Sequence, residues 1–312
     1  MRLILTFLCV LVLFSCKPYQ STVEREGQIT YERFRESQKK FNSTDGNIAY
    51  IDKGEGPVIL LLHGVPTSGW LYRKMIDPLV DAGYRVIAPD MLGFGSSDSP
   101  KGYDIYSDQN HSLRLLALMD HLGIESWTHV MHDVGGLWTW DLLGNDNAHR
   151  INHLVILNTI ILEDGFNPPI RFRSGLTAKL AMWSYHNGIT TNTMLRALFK
   201  EGLKENNLNK EDVKGYKTPL KEGKTRAMYY FFTQTCNEIP DYRPMIQNLD
   251  IPSIVIWGKE DVFLEWLPQR AELEKDFHLS EDEEHLLDAK HFIQEEKPEE
   301  IVSLILEFLE DK

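Results

Sequence analysis

Cysteine is scarce in this chain of 312 residues, with only Cys9, Cys16 and Cys236 present. The first two lie near the N-terminus, and Cys236 has no cysteine partner in the rest of the chain. An internal disulfide is therefore excluded there, and Cys236 is expected to be a small buried apolar residue. The first apolar run, Leu3 to Phe14, is shorter than the ~20 residues that a helix needs to cross a bilayer.

Basic residues are also in deficit, because 33 Lys and Arg stand against 46 Asp and Glu and leave a net charge of −13. This balance argues against nucleic acid, or an anionic membrane surface, as the main partner. The sequence has no ligand cluster with metal spacing and no phosphate-binding glycine loop, so no metal or organic cofactor is expected. It also has no Gly-x-Ser-x-Gly motif, which argues against a serine nucleophile on a strand–helix turn.

The N-terminal residues have the pattern of a targeting segment. Arg2 precedes the apolar run, and Leu13-Phe14-Ser15-Cys16 then resembles the lipobox of bacterial lipoproteins. This resemblance implies that residues 1–15 are a signal peptide and that Cys16 is lipidated. The protein would then lie in the bacterial cell envelope, held to a membrane through its N-terminal lipid. The alternative is an ordinary secretory signal with an incidental cysteine.

The rest of the chain has the order of strands and helices typical of an α/β fold. Residues 16–40 are polar and are expected to form a tether. Strand and helix patterns alternate over residues 41–161 and return over 246–312, whereas residues 162–245 are helical in composition. This order predicts a mostly parallel, doubly wound sheet with a helical cap inserted late in the sheet. The predicted strands are 47–52, 58–62, 85–88, 128–131, 154–158 and 253–257, and the main predicted helices of the core are 71–82, 109–122 and 301–309.

Asp133 lies where the strand 128–131 passes directly into a helix. In the nucleophile elbow, such a turn exposes the side chain above the sheet, and the helix N-terminus stabilises negative charge beside it. Gly135 and Gly136 leave room for the tight turn. The alternative is that Asp133 only caps the helix, because aspartate is a common N-cap residue.

The loop after the strand 58–62 is expected to face this turn. The backbone N–H groups of Val65 and Val134 are candidates for an oxyanion hole that serves an ester formed on Asp133. His63 is expected to be a structural hydrogen-bonding residue under the loop. The sequence does not decide whether the Val65–Pro66 bond is cis.

Several motifs resemble the haloalkane dehalogenase and epoxide hydrolase branch of the α/β-hydrolases. The resemblance covers residues 45 to 310 and is most specific in the motifs 63–67, 72–76, 86–90, 93–95 and 132–136. It implies an α/β-hydrolase fold with Asp133 as nucleophile, His291 as base and Asp261 as the acid that orients it. Asp133 would form an ester with substrate carbon, and His291 would activate the water that hydrolyses this ester. The implied substrate is a small apolar organic molecule.

The resemblance leaves the leaving group open. Haloalkane dehalogenases supply N–H donors to the halide beside the nucleophile and in the His-Gly-x-Pro loop, positions that are Val134 and Val65 here. Epoxide hydrolases use cap tyrosines as acids. The sequence therefore favours epoxide opening, with haloalkane hydrolysis as the alternative. A non-catalytic ligand-binding lipoprotein ranks last, because it predicts a missing member of the triad. The cap candidates, which could also be packing residues, are Trp183 for a halide and Tyr185, Tyr229 and Tyr230 for an epoxide.

Overall fold

A computed structural model describes residues 29–310 of the chain, and in this range a single sheet of eight strands organises the fold. The strand order is β1-β2-β4-β3-β5-β6-β7-β8. β1 and β2 pair antiparallel, and β2 pairs antiparallel with β4, whereas all other neighbours are parallel. The strands are β1 (Lys39–Ser43), β2 (Gly46–Lys53), β3 (Val58–Leu62), β4 (Arg85–Pro89), β5 (Trp127–Asp133), β6 (Ile151–Thr159), β7 (Ser253–Gly258) and β8 (Glu284–Leu287).

The α-helices connect these strands and build the cap. Residues 29–310 also contain five short 3-10 helices and one π-helical turn, Leu143–Asn147. One of the 3-10 helices, Gly69–Tyr72, leads directly into α2. The α-helices are α1 (Tyr31–Ser37), α2 (Arg73–Asp81), α3 (Asp108–His121), α4 (Gly135–Leu142), α5 (Leu176–His186), α6 (Thr191–Gly202), α7 (Lys210–Lys221), α8 (Arg226–Thr233), α9 (Arg243–Ile246), α10 (Arg270–Asp276), α11 (Ile293–Glu296) and α12 (Pro298–Glu310).

The central strands are apolar because helices cover both faces of the sheet. Ile59 to Leu62 of β3 and Ile254 to Trp257 of β7 are all buried, with at most 2% of any residue exposed. A strand buried on both faces shows a continuous apolar run instead of alternation, which explains why these strands could be read from the sequence. The predicted fold class, an α/β-hydrolase fold with a mostly parallel sheet, is confirmed.

The folded region begins earlier than the sequence suggested. Residues 31–43 form α1 and the edge strand β1, where a tether up to residue 40 was expected. Tyr31 and Phe34 are buried and pack edge-on against Trp70, with ring centroids 5.3 and 5.1 Å away. These two aromatic residues stand alone in a polar segment, so the sequence shows no hydrophobic periodicity that would predict a helix there. Their burial nevertheless holds the helix against the core. The predicted signal peptide and Cys16 lie outside the described residues.

Helices α5 to α9 lie between β6 and β7, in the segment for which a cap was predicted. A buried ion network joins this cap to the core. Arg73 of α2 donates to Asp212 of α7 at 2.5 Å and to both carboxylate oxygens of Glu295 at 2.5 and 2.7 Å. The Tyr216 hydroxyl of α7 donates to the same Glu295 carboxylate at 2.5 Å. Cys236 is buried in the cap, as predicted, and its thiol lies 3.6 Å from the Ile170 carbonyl oxygen.

Candidate active site

Asp133 ends β5 in a strained backbone conformation. Its φ of 55° lies in the left-handed region, which non-glycine residues rarely adopt. Its carbonyl accepts hydrogen bonds from the Thr159 hydroxyl at 2.6 Å and the Ile160 N–H at 3.2 Å, which hold the turn. A side chain at Gly64 would overlap the Asp133 carboxylate, so only glycine lets the neighbouring loop approach so closely. The turn therefore presents the carboxylate at the carboxyl edge of the sheet.

Backbone N–H groups surround the Asp133 carboxylate. The Val65 N–H donates to Oδ1 at 2.6 Å, and the Val134 N–H also hydrogen-bonds to the carboxylate. The structure thus brings both predicted oxyanion-hole residues to Asp133. The Val65–Pro66 bond is cis. Below this loop, His63 donates from Nδ1 to the Gly64 carbonyl at 2.7 Å and accepts the Met91 N–H at Nε2, which is the structural role that was expected.

His291 joins Asp133 to Asp261. Its Nδ1 lies 2.9 Å from Asp261 Oδ2, and its Nε2 lies 3.7 Å from Asp133 Oδ2. If Nδ1 carries the proton, Nε2 presents its lone pair toward Asp133. The other Asp261 oxygen accepts the backbone N–H groups of Phe263 and Leu264 at 2.8 and 3.1 Å. All three predicted triad positions are therefore brought together.

The charges in this cluster shift its pKa values. Burial raises the pKa of Asp133, against the opposing effects of His291 and of the Val134 and Val65 N–H groups. Burial lowers the pKa of His291, but Asp261 and then Asp133 outweigh it, so the net pKa of His291 is raised. The histidine thus gains basicity from both carboxylates that it faces. Within residues 29–310 no group of three or more His, Cys, Asp or Glu side chains has the arrangement of a metal site.

Two residues that the sequence did not assign to the site hold the triad in place. The Asn158 side chain donates to Asp261 Oδ2 at 2.6 Å, while its oxygen accepts the Gly258 N–H at 2.9 Å. The His132 Nε2 lies 2.9 Å from the His291 carbonyl oxygen and donates to it. From the sequence, Asn158 could be placed only as the last residue of the predicted strand 154–158. Its role depends on the pairing of β6 with β7, which brings it beside Asp261.

The four candidate residues of the cap differ from one another in exposure and in contacts. Trp183 is 55% exposed on α5, so the interpretation of Trp183 as a halide donor inside the site is wrong. The Tyr229 hydroxyl accepts the Gly175 N–H at 3.2 Å, and its ring stacks on Tyr103. Burial and then the charges of nearby acids, Asp108 first, raise the pKa of Tyr230. Tyr185 is half-buried on α5, and burial raises its pKa, which keeps its hydroxyl protonated at neutral pH.

Comparisons with known proteins identify the family of the chain. Residues 57–298 match the model of the α/β-hydrolase fold family, and the chain belongs to that family. It is 29% identical to haloalkane dehalogenase 2 of Mycobacterium bovis, over 86% of this chain and 93% of that protein. It is 25% identical to epoxide hydrolase 3 of Xenopus tropicalis, over 93% of this chain and 80% of that protein.

A solved structure resembles the chain over a similar length. The structure of epoxide hydrolase VrEH1 from Vigna radiata superposes with a TM-score of 0.68 and 21% identity, covering 88% of this chain and 98% of that chain. At this identity the likeness establishes the fold and not the reaction. The family and the site together define an α/β-hydrolase with relatives among both haloalkane dehalogenases and epoxide hydrolases.

Proposed function

We propose that this protein hydrolyses a small apolar organic substrate through a covalent ester on Asp133. The observation that carries this proposal is the carboxylate at the elbow, held by the Val65 N–H at 2.6 Å on Oδ1 and facing His291 with Oδ2. Because Oδ1 is occupied, Oδ2 is the oxygen that attacks carbon. An aspartate needs no base for this step, since its anion is already the nucleophile.

The second step needs the histidine. His291 Nε2 takes a proton from water, and the resulting hydroxide attacks the carbonyl carbon of the Asp133 ester. The oxyanion that forms is stabilised by the Val65 and Val134 N–H groups, which already hold the free carboxylate. Collapse of the tetrahedral intermediate breaks the bond between the ester carbonyl carbon and the product oxygen. The product oxygen takes the proton held by His291 and leaves as a hydroxyl group. Asp133 is then a carboxylic acid, and its proton, which came from the attacking water, passes by way of His291 to solvent, so that the carboxylate is restored. Asp261 stabilises the imidazolium while it exists.

We infer that the bond broken in the first step is the C–O bond of an epoxide. The residues beside the nucleophile that could bind halide, Val134 and Val65, have no side-chain N–H, and Trp183 is exposed. An epoxide needs instead a proton donor for the ring oxygen, and Tyr185 is the cap hydroxyl best suited to this. Tyr185 lies on the same side of α5 as the buried residues Ala178 and Met182, because the three are spaced i, i+4 and i+7 from Ala178. The alternative is halide displacement, which the Mycobacterium bovis relative supports. A binding protein without turnover is disfavoured by the complete triad.

The test is to trap the ester. In a His291→Gln variant the first step remains possible and the second is blocked, so incubation with epoxides and haloalkanes should leave an adduct on the peptide that contains Asp133. An adduct with the full epoxide mass means ring opening, whereas an alkyl group in place of a proton means halide departure and refutes the epoxide assignment. His121→Gln, which changes an exposed histidine on α3, should turn over substrate without an adduct. Turnover by the wild type without any adduct on Asp133 in the variant would refute the carboxylate mechanism.

We also propose that Cys16 is lipidated and that the mature protein is held in a bacterial envelope. The support is the sequence Leu13-Phe14-Ser15-Cys16 after an apolar run. Among residues 29–310, no helix is both long and apolar enough to span a bilayer. Intact-mass analysis of the protein from membranes should give the mass of a lipidated chain that starts at Cys16. Cys16→Ser should abolish this mass, and an unlipidated mature N-terminus in the wild type would contradict the proposal.

A further inference from the structure

The cap helix α5 carries an apolar stripe on its outer face. Leu176, Leu180 and Trp183 are 73%, 53% and 55% exposed. Their spacing of i, i+4 and i+7 places the three side chains on one side of the helix. Single exposed apolar residues are ordinary on protein surfaces, but three large ones in register form a contiguous patch that marks an interaction site.

Within residues 29–310, no other part of the fold covers this stripe. The opposite side of α5, with Ala178 and Met182 buried, packs on the neighbouring cap helices α6, α7 and α8. The helix is therefore already held in the cap through its smaller side chains. Leu176, Leu180 and Trp183 are therefore not needed for this packing and point to solvent.

The charge around the stripe is opposite to that of the protein. The chain has a net charge of −13, but residues 165–200 contain no acidic residue and five basic ones, namely Arg171, Arg173, Lys179, Arg196 and Lys200. Arg171 pairs with Glu163 and Lys200 pairs with Glu201, both of which lie just outside this segment. Arg173 lies three residues before α5 and Lys179 lies in its first turn, and both are exposed. Exposed charges more than ~10 Å away are largely screened at physiological salt, so Arg173 and Lys179 are the charges on this segment that act on a partner at the stripe.

We propose that the α5 stripe, defined as Leu176, Leu180 and Trp183, docks on the surface of a bilayer that contains anionic phospholipids. A helix with leucine and tryptophan on one face and basic residues beside it is the type that lies in the membrane interface. Tryptophan in particular favours the headgroup level. Anionic headgroups would pair with Arg173 and Lys179, while the apolar side chains enter the acyl boundary.

The N-terminal part of the chain permits this orientation. The described residues begin beside the cap, where the Tyr31 N–H donates to Glu211 of α7 at 3.3 Å, and α7 packs on α5. Thirteen positions separate Cys16 from Ile29, which span at most about 45 Å when extended. A lipid on Cys16 therefore reaches a membrane that contacts the cap. The docking proposal stands on the exposed face alone and needs neither the lipid nor the hydrolase activity.

The tryptophans offer a direct test in the full chain. All seven lie in the described region, and the six others, at positions 70, 127, 138, 140, 257 and 266, are buried. Phospholipids with brominated acyl chains quench tryptophan only at short range. Vesicles of brominated phosphatidylcholine and phosphatidylglycerol should therefore quench the emission of the wild-type chain. Trp183→Phe should remove this quenched component and leave the emission of the other tryptophans unchanged.

Matched variants separate docking from simple tethering by the N-terminus. Because Leu176 and Leu180 each have half or more of their surface exposed, changing each to serine should weaken docking roughly fivefold and the pair roughly 25-fold. Lys179→Glu should weaken it about fivefold or more on anionic vesicles and much less on phosphatidylcholine alone. Leu113→Ser, at a 50% exposed leucine of the core helix α3, is the control and should change nothing.

Two results would overturn the proposal. In the first, the full chain sediments with the vesicles and its tryptophan emission is not quenched, so that the N-terminus alone makes the attachment. In the second, the emission is unquenched and the chain forms a dimer that Leu176→Ser/Leu180→Ser dissociates, so that a second copy covers the stripe. Both readouts are independent of substrate turnover, so failure here does not affect the proposed hydrolase function.

Discussion

Glu295 lies four residues after His291, and its buried carboxylate gives a sharp test of how the cap and the catalytic edge are held together. The carboxylate accepts hydrogen bonds from Arg73, Lys74 and Tyr216. Burial raises its pKa, but the charges and hydrogen bonds of Arg73 and Lys74 dominate and lower it from 4.5 to about 2. This difference corresponds to about 3 kcal/mol of stabilisation at neutral pH, at 1.36 kcal/mol for each pKa unit.

The perturbation is Glu295→Gln, which keeps the shape and removes the charge. We expect a loss of about 3 kcal/mol in the free energy of unfolding at pH 7, similar to other broken buried ion pairs. Because the folded pKa lies below the unfolded one, this stabilisation is complete above pH 4.5 and is lost as the pH falls towards 2. In the variant, the free energy of unfolding should therefore fall less between pH 4.5 and 2 than it does in the wild type. Urea unfolding, followed by tryptophan fluorescence at several pH values, measures both effects.

Asp288 provides the matched control. Hydrogen bonds and charges from Lys204 and Lys259 also lower the pKa of Asp288 to about 2, but this carboxylate is exposed. Solvent screens an exposed ion pair, and its two long side chains lose entropy when they are ordered. Asp288→Asn should thus shift the urea midpoint little. If Glu295→Gln were as stable as the wild type at pH 7, or if both variants lost the same stability, the reasoning from burial would be refuted.

Three further predictions concern the triad. His132→Phe removes the hydrogen bond to the His291 carbonyl; the ester should still form in single-turnover experiments but decay about tenfold more slowly, for a loss of ~1.4 kcal/mol, and an unchanged decay rate would contradict a positioning role. Asn158→Ala removes a hydrogen-bond donor from the carboxylate oxygen of Asp261 that contacts His291. The negative charge on that oxygen then stabilises protonated His291 more strongly, so NMR titration should find a higher pKa for His291. An unchanged or lower pKa would count against this account. Ester decay needs neutral His291, and esterification removes the Asp133 charge that helps to raise its pKa. The midpoint of ester decay against pH should therefore lie below the His291 pKa of the free protein, and equal midpoints would show that Asp133 has no such effect.

The sequence predicted six of the eight strands, and it singled out three residues that the structure brings together, because both depend on strong local signals. The strand Val58–Leu62 is bounded in the structure as the apolar run indicated. Asp133 ends one buried strand and Asp261 follows another, and the carboxyl ends of parallel strands meet at one edge of a sheet. Asn158 and His132 could not be assigned in the same way. Their partners, Asp261 and the His291 carbonyl, lie 103 and 159 positions further along the chain and meet them only through tertiary packing.

The wrong interpretation of Trp183 has a different physical cause, which lies in α5 itself. Both sides of this helix are apolar, with Leu176, Leu180 and Trp183 on one side and Ala178 with Met182 on the other. Hydrophobic periodicity therefore fixes neither side as the inner one. In the structure the side with the small Ala178 faces the cap, which allows close approach to neighbouring helices, and the bulky side remains outside. If the outer stripe contacts a membrane, both sides of α5 are apolar because each has its own partner, and no single-sided pattern should be expected.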